Sequence, residues 1–204
     1  MKPLSLILSF LPLIAFSLLA RVLPSGDIGV AGLIAALCAV AAIAHARPVW
    51  PPKIIGSCSL VLFAVAAVIG FTGSASTDKW LATWGGAGVG LVMGLVILAL
   101  IPVMPFTEQF ARETTPQAYW SSPTFKKINL VLSAGWGAAI FLLGVSRTIA
   151  AAVDLHTTHR FVEITFSLVI PVVVLVYMVK FSKSYPDRVS HESDAAPRHE
   201  SPAR

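Results

Sequence analysis

Apolar positions along the chain fall into six long runs separated by short polar stretches. A helix needs about 20 mostly apolar residues to cross a bilayer. The qualifying runs are about Leu4–Leu23, Asp27–Ala46, Ile54–Thr72, Trp80–Met104, Phe125–Val153 and Phe161–Lys180. Several ends carry their own punctuation. Pro51 and Pro52 separate the second run from the third, because proline has no N–H for a helix interior. Asp27 is placed to cap the second helix, and Ser122-Pro123 is an N-cap and first-turn pair for the fifth. Pro171 lies inside the sixth run and predicts a kink there, tolerated where a neighbour satisfies the freed carbonyl. The first run resembles a signal peptide in outline. Its apolar length, and Arg21 directly after Ala20, favour an uncleaved helix.

The pattern thus predicts an all-α integral membrane protein: one six-transmembrane-helix bundle over residues 1–180 and a disordered cytoplasmic tail over 181–204. Composition agrees, with 56% hydrophobic residues among 204 and only 12% charged. A soluble domain carries about 25% charged residues. The formal net charge of +5 gains meaning from its placement. Four basic and four acidic residues leave 181–204 neutral, so the whole excess lies in 1–180. There it forms short clusters between apolar runs, without the basic, aromatic-interleaved surface that nucleic acid requires. Lysine and arginine concentrate on one side of the predicted bundle: Lys2, Arg47, Lys53, Arg112, Lys126, Lys127, Lys180, Lys183 and Arg188. Arg21, Lys79, Arg147 and Arg160 fall on the other. The positive-inside rule then places both termini in the cytoplasm.

Candidate chemistry is sparse. The fourth loop, Pro105–Trp120, is the most distinctive segment. Glu108 and Arg112 are four apart, as are Phe106 and Phe110, which predicts a short amphipathic helix lying in the cytoplasmic interface. A sharper reading makes it a docking surface for a partner, or a polar lid over a cavity. Glu108 and Glu113 could form a carboxylate pair, but nothing nearby supplies a nucleophile or metal-ligand set. The fifth loop carries His156, His159 and Glu163 at a spacing that matches no strong metal signature, so a solvated loop is preferred to a metal site. Gly86, Gly90 and Gly94 repeat every four residues. Such a stripe lets a second helix approach closely, within the monomer by preference or in a homodimer.

No ionisable residue sits near the middle of a predicted span, which argues against ion-coupled transport. Asn129, one turn into the fifth span, is expected to tie helices together, and Arg147 is placed to pair with Glu163. Cys38 and Cys58 read as small buried hydrophobes. No nucleotide-binding, hydrolase or metalloprotease motif occurs, and isolated His45 supports no haem or quinone. The expectation is no catalytic residue, no cofactor and no metal.

Several stretches resemble the septation protein A family of bacterial inner-membrane proteins. The resemblance is diffuse and covers most of residues 8–180. Phe10-Leu11-Pro12-Leu13 is similar to that family's opening run, and Asp27 begins the second helix as a polar residue does there. Asp78-Lys79-Trp80 resembles its entry to the fourth helix, and Phe125-Lys126-Lys127-Ile128-Asn129-Leu130 its entry to the fifth, with Trp136 and Phe141 continuing the aromatic pattern. Val103-Met104 stand where the family has lysines before Pro105.

The resemblance implies an inner-membrane protein acting in envelope maintenance or cell division through protein contacts, with no enzyme activity. The leading expectation is therefore a non-enzymatic scaffold. Glu108, Arg112 and Glu113 would face envelope or division proteins, with Asn129 as a further interaction residue, and Lys126 and Lys127 would lie at the lipid headgroup level. The alternative is a small permease or lipid-handling protein using a groove beside the glycine-rich fourth helix.

Overall fold

Two helices of the chain start at a serine whose hydroxyl accepts from one of the first free N–H groups. In the computed structural model, which describes residues 3–45, 53–154, 161 and 165–195, Ser74 Oγ accepts from Thr77 N at 3.4 Å. Asp78 in the first turn adds a favourable charge to the helix dipole. The fourth span therefore begins at Ala75, five residues ahead of the expected Trp80. Ser122 Oγ accepts from Phe125 N at 3.2 Å with Pro123 as the first helical residue, as the sequence predicts. Asp27 behaves differently from expectation. It closes a 3-10 turn, Ser25–Asp27, with its N–H bonded to Pro24 O, and the helix follows from Ile28.

The described residues form helices and turns only. In chain order the α-helices are α1 (Pro3–Val22), α2 (Ile28–His45), α3 (Ile54–Thr72), α4 (Ala75–Leu100), α5 (Phe106–Ala111), α6 (Pro123–Asp154) and α7 (Ile170–Ala195). Among the described residues α2, α3, α4 and Pro123–Val153 of α6 are long and apolar enough to cross a membrane. α1 contributes the shorter apolar stretch Leu8–Ala20.

From Gly29 to Val40, α2 is packed inside out relative to a helix of a soluble bundle. α2 buries Gly29, Ala31, Gly32, Ala35, Ala36 and Ala39, while Val30, Leu33, Ile34, Leu37 and Val40 face outward. Water would drive the larger side chains inward. Small residues inward and large apolar residues outward is the arrangement that suits a lipid solvent, where close backbone approach drives association. α2 meets α3 this way: a Cβ on Gly70 would come 2.5 Å from Gly29 Cα.

Two apolar clusters fill the interior. One, toward the Trp80 end of α4, joins Phe16, Ile28, Phe63 and Leu81 with alanines of α2. The other, toward the Lys53 end, joins Ile55, Met93, Ile97, Phe106, Phe110, Trp136 and Met178.

α4 and α6 run antiparallel, with Gly94 against Phe141, Gly90 against Gly144, and Ile97 and Leu98 against Gly137. Leu100, where α4 ends, is thus level with about residue 135 of α6. α6 starts twelve residues earlier, at Pro123, and at 1.5 Å per residue it projects about 18 Å further. α7 lies beside it, with Trp136 Nε1 donating to Ser182 Oγ at 2.9 Å. Thirteen more residues carry α7 to Ala195, about 20 Å beyond that bond.

This projection corrects one expectation. Residues 181–195 are helical, not a disordered tail; residues 196–204 lie outside the described residues. The low average hydropathy of the segment hides a stripe of Met178, Phe181, Ser182, Tyr185 and Val189 turned toward the bundle, while Lys183, Ser184, Asp187 and Arg188 stay exposed. Thr165–Val169 forms a π-turn directly before Pro171. Pro171, the second residue of α7, has no N–H to give the preceding turn, which contains the Phe166 carbonyl. Ser146 Oγ of α6 donates to that carbonyl instead, at 2.7 Å.

Candidate functional site: a buried polar plug

Residues 101–122 leave the end of α4, fold back against the bundle and return to start α6. Pro105 and Pro116 bound the turn-back. α5 sits between them, and all of Phe106–Phe110 is buried. The expected amphipathic helix in the interface is therefore an inserted plug. Phe106 and Phe110 meet edge to face at 6.2 Å in the apolar cluster with Met93, Ile97 and Trp136. Burying both rings costs the helix its water-facing side, so every polar group on it needs a protein partner.

Two sets of bonds supply those partners. Toward α6, Thr107 Oγ1 donates to Asn129 O at 2.8 Å. Thr107 N donates to Ser133 Oγ at 3.1 Å, and the two hydroxyls lie 2.9 Å apart. The proton count closes when Ser133 donates to Thr107 Oγ1. Toward α3, Gln109 Oε1 accepts from Ile54 N at 2.9 Å and so caps a helix 55 residues away in sequence. Its Nε2 points to Met104 Sδ at 3.3 Å.

The carboxylates are each paired with a cation that lies over an aromatic ring. Glu113 meets Lys53 Nζ at 2.5 Å, and that ammonium stands 4.4 Å from the Phe110 ring centre. Lys53 is 9% exposed and Glu113 17%, so this pair is largely desolvated. Glu108 Oε1 accepts from Arg112 Nε at 3.0 Å and Nη2 at 2.5 Å, with the guanidinium 4.7 Å from the Trp120 ring. Trp120 is fixed in turn by its Nε1 bond to Thr115 O at 2.9 Å.

The structure thus brings Glu108, Arg112 and Glu113 together but turns them inward. The i, i+4 pairing of Glu108 with Arg112 is as the spacing predicts. Lys126 and Lys127 are exposed on the first turns of α6, apart from the plug's ion pairs. Asn129 is buried and does join helices, through its backbone carbonyl. Its side-chain Nδ2 bonds back to Phe125 O at 2.9 Å, and its Oδ1 has no hydrogen-bond partner among the described residues. Lys53, Thr107, Gln109 and Ser133 complete the site and carry no local signature. Their partners lie 22 to 60 residues away, and only the proline bracket around residues 105–116 hints at a segment that turns back.

Gly86, Gly90 and Gly94 all face α6 within the monomer. At Gly86 the space is filled by Arg147, whose Nη1 also donates to Ser17 Oγ of α1 at 3.0 Å. The proposed partner of Arg147, Glu163, and the histidines His156 and His159 lie outside the described residues. Among the described residues, no group of three His, Cys, Asp or Glu side chains is placed to hold a metal. Cys38 and Cys58 are free thiols. The chain matches no protein-family model, no curated protein and no solved structure.

Proposed function

We propose that the chain is a six-span protein of the bacterial inner membrane, with both termini cytoplasmic, and that it acts as a non-enzymatic scaffold for envelope or cell-division proteins. One observation carries the reading: the end of α6 and the end of α7 project about 18–20 Å past the level where α4 stops. On that projection Lys126, Lys127, Asp187 and Arg188 are exposed. A helix pair standing clear of the bilayer is a surface for partner proteins.

Outward-facing large apolar side chains and inward glycine and alanine support insertion in lipid. The Lys53 end carries Lys53, Arg112, Lys126, Lys127, Lys180 and Lys183, which supports its cytoplasmic orientation. Pairing of Glu108 with Arg112 and Glu113 with Lys53 supports a structural role for the plug, since each carboxylate already has a cation. The role also fits the resemblance to the septation protein A family. Docking is then assigned to Lys126, Lys127 and the exposed side of α7, with Glu108, Arg112 and Glu113 holding the platform in place.

The experiment is photo-crosslinking in cells from positions 126 and 188, with position 176 of α7 as control. Protein adducts at 126 and 188, and none at 176, support the reading. Adducts at none of the three overturn the scaffold role.

A further inference from the structure

From the last residue of the π-turn into α7, Val169, Val172, Val173, Val176 and Val179 are all exposed and recur at helical spacing. The same face continues into Lys180 and Lys183, both exposed. Among the described residues neither lysine takes part in an ion pair; the bridges found there are Lys53–Glu113 and Arg112–Glu108. Tyr177, exposed beside this stripe, stacks on Phe181 at 6.2 Å, and Phe181 meets Tyr185 at a tilt at 5.2 Å. An apolar face thus ends in two adjacent cations with aromatic rings alongside.

The level of those cations follows from three contacts. Trp136 holds Ser182 on α7. Gly137, its neighbour, lies against Ile97 and Leu98, two residues short of the end of α4. Ile55, the second residue of α3, shares the cluster with Ile97. The end of α4, the start of α3 with Lys53 before it, and Lys180–Lys183 are therefore at one level. Lys126 and Lys127 stand some eight to ten residues of α6 further out, about 12–15 Å. The headgroup layer extends only about 5–7 Å beyond the hydrocarbon on each side. The sequence alone offers Lys126 and Lys127 for the headgroups; the fold puts Lys180 and Lys183 there.

We propose that Lys180 and Lys183 bind the phosphate of an anionic phospholipid, whose acyl chains lie along Val169–Val179. The proposal rests on the membrane reading given above. Two unpaired ammonium groups at headgroup level attract negative charge. The valine stripe below them gives the acyl chains an apolar track, and Asp187 lies one turn further out on the same face, on the water side.

The test uses the full chain in nanodiscs made with phosphatidylcholine and a minor fraction of phosphatidylglycerol. Native mass spectrometry reads the phosphatidylglycerol retained on the ejected protein. Lys180→Gln/Lys183→Gln should lower that retention on the order of tenfold, while Lys126→Gln/Lys127→Gln leaves it unchanged. Free inorganic phosphate should not displace the lipid. Equal retention in wild type and Lys180→Gln/Lys183→Gln, or loss only in the Lys126/Lys127 pair, overturns the site. Membrane insertion is read separately by alkaline carbonate extraction. Release of the wild type into the supernatant defeats the membrane reading itself, whereas firm insertion without a phosphatidylglycerol preference defeats only the site.

Discussion

Gly90 of α4 lies directly on Gly144 of α6: a Cβ added to Gly90 would come 2.9 Å from the Gly144 Cα and 3.1 Å from its nitrogen. Backbone meets backbone, so no side chain can rotate away to make room. Gly90→Leu should therefore destabilise the monomer, by about 1–3 kcal/mol or more on the scale of overpacked cores. Denaturant titration of the purified protein in detergent, followed by circular dichroism, reads this. A variant that keeps its midpoint and loses only a dimer would place the glycine stripe between subunits instead.

Lys53 and Glu113 form a largely desolvated pair that ties the start of α3 to the plug. Removing one partner leaves the other charge in a poor environment. Glu113→Ala should cost about 3 kcal/mol, near the lower end for buried pairs. The double variant Lys53→Met/Glu113→Leu should recover much of that loss, because neither charge is then buried. A double-mutant cycle of unfolding free energies checks it, with simple additivity as the contrary result.

Gln109 is a capping residue supplied from outside the helix it caps. Gln109→Leu keeps the apolar stem and deletes the acceptor for Ile54 N. Loss of a cap typically costs about 1 kcal/mol. Amide hydrogen exchange should speed up in the first turn of α3 while the Ser74-capped start of α4 stays protected. Unchanged protection at Ile54 would show that water replaces the glutamine.

Ser146 Oγ of α6 donates to the Phe166 carbonyl in the turn that precedes Pro171, a proline with no N–H to give it. Ser146→Ala should cost about 1–3 kcal/mol, the penalty for an unpaired buried acceptor. In a Pro171→Ala background the same change should cost much less, since the substituted alanine brings its own N–H. Equal losses in both backgrounds would separate the serine from the proline.

The projection of α6 and α7 is testable by labelling. In a chain with Cys38 and Cys58 replaced by alanine, Lys126→Cys and Arg188→Cys should react with a membrane-impermeant maleimide in inside-out vesicles. Val176→Cys should not. Labelling of Val176→Cys as fast as the other two would mean that the α7 stripe faces water.

Much of the fold is legible in the residue pattern because its determinants are local. The third run predicts α3 to the residue, and Ser122-Pro123 predicts the start of α6, since a helix end is decided by a few adjacent groups. The glycine repeat of α4 announces a close helix contact for the same reason. The start of α4 is missed because Ser74 lies in a polar stretch that reads as loop until its bond to Thr77 is seen. The end of α7 is missed because its charges sit on one side of a helix whose other side packs.

By itself, then, the sequence determined an all-helical chain with apolar segments of membrane-crossing length and a basic side. Burial of apolar side chains and the need to pair every backbone group leave few other outcomes. Only the tertiary structure decided that Phe106–Phe110 folds inward and that Glu113 meets Lys53 across 60 residues of chain. It alone also placed Lys180 and Lys183, not Lys126 and Lys127, level with the ends of α3 and α4. Such relations depend on which helix lies beside which, and at what height. Periodicity along one chain carries a helix's face but not its neighbour or its depth.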